Sequence, residues 1–448
     1  MKTLDQIAAE LQGYDPQAMT ADGVNDFLSR LVKPVQEILE LPLFETLGRV
    51  LAADVISPFD VPPHDNSAMD GFAFAGAQLA PDAALELQVV GTALAGKAWQ
   101  GSVEPGQCVK IMTGAVMPAG LDTVVPQEFV QLRQVGDIES ITIPPGLLRA
   151  GDNRRLRGED LMQGKAALRK GELLTPARLG LSASLGLEKL KTWRPLRIAY
   201  FSTGNEILSL GEAPREGAVY DSNRYTIFGL LSRLGCQVID MGVVRDDPAL
   251  LEEAFNEAAN QADAIITSGG VSVGEADYTK AMMKKLGDVA FWRIAMRPGR
   301  PMAVGRISSM KSAYSAYSAG EDSYENHSHQ EGAVMFGLPG NPVAVMVTFL
   351  AFVRPALLQM MGANAEPAPL LKARSSEAIR KKPGRTEYQR CCVSTAPDGS
   401  LQVKTTGSQG SGVLRSMAEA NGLIVLNHVQ GNVAVGDKVD VMMFDGAI

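Results

Sequence analysis

Ala264-Ile265-Ile266-Thr267-Ser268-Gly269-Gly270 is a short apolar run that breaks into paired glycines, and the design recurs twice. Leu196-Arg197-Ile198-Ala199-Tyr200-Phe201-Ser202 runs into Thr203-Gly204-Asn205-Glu206, and Phe336-Gly337 into Leu338-Pro339-Gly340-Asn341-Pro342. Helical patterns separate these runs. One covers about 225–234 and stops at Gly235, and a strand follows over about 238–244. A second begins after Asp246-Asp247-Pro248, whose carboxylates suit an N-cap, and runs to about 260. A long apolar helix follows Pro342. Alternation of strand and helix over 196–360 predicts a mostly parallel sheet covered on both faces.

Outward from this centre the texture changes. Phe27, Leu28, Leu31, Val35, Ile38 and Leu39 recur near 3.6-residue spacing, which predicts a helix over about 21–41. After Pro58, short strands with Gly/Pro punctuation continue to about 157, the pattern of a small β-rich domain. Thr175 as N-cap, Pro176 at the first helical position and Gly186 near the end predict another helix. Residues 308–332, rich in Ser, Ala and Tyr, read as a surface insertion, including its His327-x-His329 pair. From about 362 the chain returns to alternating strands and turns such as Pro397-Asp398-Gly399.

Composition narrows the chemistry. The 448 residues include 42 basic and 50 acidic ones, a net charge of −8, with no long basic stripe, which argues against bulk nucleic-acid binding. Only four cysteines and four histidines occur, without metal-ligand spacing, so structural zinc and iron–sulfur sites are not expected. The first residues lack the apolar segment of a secretory signal, and the apolar run over 343–353 is short of the roughly 20 residues that span a bilayer. The expectation is a soluble cytoplasmic protein with free thiols, working through carboxylates, Arg/Lys and backbone amides.

Gly91-Thr92-Ala93-Leu94-Ala95-Gly96-Lys97 imitates a phosphate-binding P-loop, but Ala98 replaces the metal-binding hydroxyl and no helix follows. Stronger candidates are the three glycine turns: Ser202, Thr203 and Gly204; Ser268, Gly269, Gly270, Ser272 and Gly274; and Pro339, Gly340, Asn341 and Pro342. All three follow strands of one parallel sheet, and that carboxyl edge is where ligands bind. Consecutive backbone N–H groups there suit an anion. Glu206, Asp221, Asp246 and Asp277 stand close by in sequence. Carboxylates facing a phosphorylated ligand call for a hard cation, and Mg²⁺ takes one or two carboxylates plus phosphate oxygens. Arg293, Arg297 and Arg300 supply positive charge, and strand alternation would put Arg293 and Arg297 on one face to clamp an oxyanion. A second basic cluster holds Arg154, Arg155 and Arg157, followed by Asp160.

These residues resemble the molybdopterin molybdenumtransferases, molybdenum-insertion enzymes related to the E domain of gephyrin. The likeness is carried by Asp65-Asn66-Ser67-Ala68-Met69-Asp70-Gly71, Ile111-Met112-Thr113-Gly114-Ala115, Tyr220-Asp221-Ser222-Asn223 and the three glycine turns. Gly384-Arg385-Thr386-Glu387-Tyr388-Gln389-Arg390 and Gly407-Ser408-Gln409-Gly410-Ser411 extend it over nearly the whole chain. The resemblance implies a multidomain α/β plus β protein. Its parts are a helical linker region (1–60 and 160–195), a β-rich domain (61–159), an α/β molybdopterin-binding domain (196–361) and a C-terminal β-barrel-like domain (362–448). It further implies Mg²⁺-dependent insertion of molybdenum from molybdate into adenylated molybdopterin, with release of AMP. A homodimer would close the active site between subunits, and the molybdopterin adenylyltransferase and recipient molybdoenzymes are the further partners.

By motif matching, Asp65, Thr113, Glu206, Asp246, Asp277, Arg293 and Arg297 carry over as catalytic, with Glu206, Asp246 and Asp277 on the metal. Arg155, Asp160, Asp221, Asn223, Arg300, Arg390 and Ser411 join the glycine turns as substrate-binding. The chain departs from the family pattern at several places. Arginine replaces lysine at 293, 297 and 300, Asn205 stands where aspartate is usual, and Ser408 and Gly412 occupy places where histidines are common. An oxyanion clamp survives the arginines, whereas proton transfer from a neutral amine would not. Two other readings remain open: a molybdopterin-binding scaffold with weakened catalysis, and a molybdopterin adenylyltransferase.

Overall fold

The computed structural model of the protein describes residues 2–271, 278–308, 332–364 and 367–444; Ser272, Gly274, Asp277 and nearly all of the 308–332 insertion lie outside them. The central sheet has six strands in the order Gln237–Val244, Arg197–Thr203, Ala264–Ser268, Ala333–Leu338, Pro301–Ile307 and Gly287–Arg293. The first four run parallel, Pro301–Ile307 runs opposite to them, and Gly287–Arg293 pairs antiparallel with Pro301–Ile307. From Arg197–Thr203 the chain crosses to one neighbour, then returns to the other side with Ala264–Ser268. Their carboxyl ends therefore diverge at a topological switch point, where an open α/β sheet forms its crevice.

Ile198, Ala199, Tyr200 and Phe201 are all buried, so this strand is covered on both faces, as its continuous apolar run predicts. One face is covered by helix Pro248–Gln261, where Phe201 meets Phe255 edge-on at 5.1 Å. Each such ring contributes roughly 2–3 kcal/mol by burial. The opposite face is covered by helix Ser222–Arg233 and by the helical stretch Pro342–Met360. That stretch is long and apolar enough to cross a membrane, but 72% of its apolar window is buried inside the protein. It passes through a π-helical turn at Phe349–Val353, next to Pro355, which lacks the N–H that a regular α-helix needs there.

The helix expected over 21–41 ends early. It spans Ala21–Leu31, capped by the Thr20 hydroxyl, and Ile38–Pro42 forms a strand paired with Lys189–Trp193. Pro34 disfavours helical geometry at Lys33, which the apolar spacing alone did not register. Phe27 packs edge-on against Trp292 at 4.8 Å, and the backbone of Met19 bonds to that of Arg293, so the N-terminal helices lie on the α/β domain.

A second six-stranded sheet forms the β-rich domain between residues 71 and 143. In the C-terminal domain, Thr386–Thr395, Leu401–Thr405, Leu371–Ser375, Lys438–Met443 and Gly422–Leu426 pair in sequence and close back on Thr386–Thr395 as a five-stranded barrel. The short strand Met296–Arg297 of the α/β domain joins this barrel, in parallel register with Thr386 and Glu387.

Candidate active site

The three glycine turns meet at one cavity of about 1160 Å³, large enough for a pterin joined to a nucleotide. Thr203, Gly204, Ser268, Gly269, Gly270, Pro339, Gly340, Asn341 and Pro342 all border it. Glycine is required at two of these positions. A Cβ on Gly269 would stand 2.5 Å from the Thr203 carbonyl oxygen, and one on Gly270 would stand 2.6 Å from the Thr279 side chain. Both have positive φ, which favours glycine, and the Gly269 amide is held by the Leu338 carbonyl at 3.1 Å.

Beneath this floor, the Tyr200 hydroxyl lies 2.8 Å from both Ser202 Oγ and Ser268 Oγ, which are 3.1 Å apart. Burial raises the Tyr200 pKa, and the serine hydrogen bonds only partly oppose it, so the phenol stays neutral. Ser202 thus supports the floor from below, while Ser268 borders the cavity. At the edge, Thr203 Oγ1, Asp221 Oδ2 and Asn223 Oδ1 are buried without a hydrogen-bond partner. Each such atom costs about 1–3 kcal/mol, which a polar ligand would offset. The other Asp221 oxygen caps helix Ser222–Arg233, and Asn223 Nδ2 donates to the Gly340 carbonyl at 2.7 Å.

Glu206 and Asp246 both border the cavity. Gly204 allows the Glu206 carboxylate to fold back, since a Cβ there would lie 2.6 Å from Glu206 Oε2. Asp247, not Asp246, caps helix Pro248–Gln261. The donors are all hard oxygens, which suits Mg²⁺ rather than a soft metal. Among the described residues no three acidic, His or Cys side chains gather closely enough to hold an ion on their own. A cation here would draw on one or two carboxylates and on its ligand's oxygens, the usual way in which Mg²⁺ is held beside phosphates. Asp277 lies outside the described residues.

Arg297 and Arg300 border the cavity, whereas Arg293 does not. The expected common face is not formed: the strand ends at Arg293, and residues 294–300 turn back so that Ile294 N–H bonds to the Arg300 carbonyl. Ser411 borders the cavity as expected, together with Gln409, Gly410 and Gly412. Arg390 takes a supporting position instead. It is completely buried, with Nη2 donating to the carbonyls of Ser408 and Gly410 and Nε to Ser416 Oγ. Burial lowers its pKa, with a smaller contribution from Arg297. Arg385 also borders the cavity, though its residue type and position gave no separate signal in the sequence.

Asp65, Thr113, Arg155 and Asp160 gather elsewhere, on the β-rich domain. Asn66 pairs with Arg155, the Gly114 amide donates to Ser67, and the Asp160 amide donates to Val61. Asp65 Oδ1 accepts the Arg157 amide, and Arg155 pairs with Glu159 at 2.6 Å. Asp70 Oδ1 accepts both the hydroxyl and the amide of Thr113, which hold its carboxyl below the usual range. None of these residues borders the cavity of the same chain.

Three family models match in succession: the MoeA N-terminal region (domain I and II) over residues 20–186, a probable molybdopterin binding domain over 199–359, and the MoeA C-terminal region (domain IV) over 372–444. A molybdopterin molybdenumtransferase of Haemophilus influenzae is 39% identical over 406 residues, covering 90% of this chain and 93% of that protein. One from Nostoc is 32% identical, covering 96% and 95%. The crystal structure of the molybdopterin biosynthesis moeA protein from Pyrococcus horikoshii OT3 matches 96% of this chain and all of its own, with a TM-score of 0.76 at 24% identity, a likeness of fold.

Proposed function

Because this chain belongs to the molybdopterin molybdenumtransferase family, transferases of molybdenum cofactor biosynthesis, we propose that it inserts molybdenum from molybdate into adenylated molybdopterin and releases AMP, with Mg²⁺ as cofactor. The observation that carries this reading is the cavity whose lining combines the glycine turns, Arg297 and Arg300, and the carboxylates of Glu206 and Asp246.

The Gly204 and Gly270 amides, beside the start of helix Pro342–Thr348, bind and orient the anhydride phosphates. Glu206 and Asp246 would hold Mg²⁺ against those phosphates, and Asp277 joins them by motif. When bound, the ion neutralises charge that develops as the anhydride breaks. Arg297 and Arg300 hold the molybdate oxyanion next to the pterin dithiolene, turning an encounter of two anions into a positioned reaction. The sulfurs that receive molybdenum belong to the substrate. The chain's own Cys108 and Cys391 are buried and Cys236 partly so, and desolvation pushes all three pKa values up to about 12, which makes them poor nucleophiles. Free thiols also accord with a cytoplasmic setting.

Asp65, Thr113, Arg155 and Asp160 reach this site from the partner subunit of a homodimer. Separation of the two clusters within one chain supports that reading.

Incubating the protein with adenylated molybdopterin, molybdate and Mg²⁺ tests the proposal. AMP release well above that of a Glu206→Ala variant is expected, and release no greater than the variant's would overturn it. Consumption of ATP with unadenylated molybdopterin would instead favour the adenylyltransferase reading.

A further inference from the structure

We propose that Tyr200 is a positioning residue for a ligand phosphate, acting through the Ser268 hydroxyl; this rests on the transferase reading above. Tyr200 and Ser202 lie two residues apart on strand Arg197–Thr203, so their side chains share a face, and Ser202 is the register partner of Ser268 on the neighbouring strand. The Tyr200 ring belongs to the apolar cluster beneath helix Ser222–Arg233, with Ile198, Ile227 and Ile266. Its hydroxyl reaches the carboxyl edge of both strands, where it meets the two serine oxygens at 2.8 Å each. Phenylalanine would fill the same volume without burying a polar group, as Phe201 does on the opposite face. Packing alone therefore does not call for the hydroxyl.

Three hydroxyls bring three protons, and their three mutual contacts, at 2.8, 2.8 and 3.1 Å, use all of them. The closed ring pins the rotamers of both serines and leaves each oxygen one unused lone pair. Ser268 borders the cavity, and a phosphate there accepts from it only if one contact of the ring opens. A phenol is a stronger donor and a weaker acceptor than an aliphatic hydroxyl, so the contact that opens is the one in which Tyr200 accepts. Exchanging that neutral bond for a charge-assisted one to phosphate is favourable. Tyr200 then donates to Ser202, Ser202 to Ser268 and Ser268 to the phosphate, each hydroxyl polarising the next. Burial, reinforced by the charges of Asp221 and Asp240, keeps the Tyr200 proton in place against the opposing pull of the serine hydrogen bonds.

Equilibrium dialysis of AMP, and separately of molybdate, against the full-length protein tests this. Tyr200→Phe is expected to weaken AMP binding about threefold and Ser268→Ala about tenfold, the range of one neutral and one charge-assisted hydrogen bond. Molybdate, assigned above to Arg297 and Arg300, should bind Tyr200→Phe as it binds the wild type. The double variant should bind AMP no more weakly than Ser268→Ala alone, because Tyr200 acts only through that serine. A purely structural role would instead multiply the two factors, to about thirtyfold. In turnover, Tyr200→Phe should raise the KM for adenylated molybdopterin by more than it lowers kcat. If Tyr200→Phe fails to fold, Ser202→Ala serves: it breaks the middle link, so a loss of about twofold is expected, and none on top of Ser268→Ala. Wild-type or tighter AMP binding in the folded Tyr200 variant, or factors that multiply in the double variant, would overturn the inference and leave the transferase reading standing. A wild-type protein that binds neither AMP nor molybdate would remove both.

Discussion

Asn205 Oδ1 accepts a hydrogen bond from the Asp246 amide at 3.3 Å, which ties together the two loops that carry the cavity's carboxylates. The Asn205 carbonyl is itself held by the Arg215 guanidinium, so the side chain projects from an anchored turn. Aspartate at this position would keep the acceptor and add a negative charge beside Glu206 and Asp246. Asn205→Asp is therefore expected to lower the Mg²⁺ concentration needed for half-maximal AMP release. Asn205→Ala, which loses the tie, is expected to raise it and to lower kcat/KM about tenfold, the cost of a mispositioned group. A Mg²⁺ titration of AMP release separates the two.

Arg390 is expected to show its role in stability before activity. Its guanidinium satisfies the carbonyls of Ser408 and Gly410 from inside the barrel, and these flank Gln409 on the cavity rim. Arg390→Met leaves those carbonyls and Ser416 Oγ without their donor, at about 3 kcal/mol for the set. Urea denaturation should show that loss. Arg390→Lys should recover little of it, because an ammonium cannot span the same three acceptors.

How far the sequence could be read depended on whether the physics was local. The glycine turns could be placed because a short apolar run followed by Gly-Gly is decided within ten residues. The helix from Ala21 was overextended because the apolar spacing continues through Val35 and Ile38, while Pro34 ends the helix and the later residues pair with Lys189–Trp193. Arg293 and Arg297 were set on one face by alternation, but backbone bonds to Pro16 and Met19 fix where that strand stops. Arg385 acquires its position from closure of a barrel whose first and last strands are more than 60 residues apart, a pairing that no local pattern encodes.

Asp263 makes stability depend on acid. Its carboxylate receives a two-pronged contact from Arg194, at 2.6 and 2.7 Å, and accepts the Arg197 amide at the start of the central strand. Burial alone would raise its pKa, but the Arg194 and Arg197 hydrogen bonds prevail and hold it below the ordinary value. A carboxyl lowered in this way contributes stability in full above its unfolded pKa, about 4, and loses it as pH falls through the lower folded value. Asp263→Asn is expected to cost about 3 kcal/mol at pH 7, because Arg194 is left with an incomplete partner. The gap between variant and wild type should narrow below pH 4, as followed by denaturant titration at several pH values.

The separation of Asp65 and Thr113 from Glu206 within one chain gives a test of the dimer that activity alone cannot. In Asp65→Asn one cluster is damaged, and in Glu206→Gln the other; each variant alone should release little AMP. If every site combines the β-rich domain of one subunit with the cavity of its partner, a mixed dimer of the two variants contains one wholly damaged site and one wholly intact site. Unfolding and refolding the variants together at equal concentration makes about half of the dimers mixed, so roughly a quarter of wild-type AMP release should return. Sites built within single chains would restore nothing, because every chain in the mixture carries one lesion. Light scattering on the same sample establishes that dimers formed, so a failure to recover activity would count directly against the shared site.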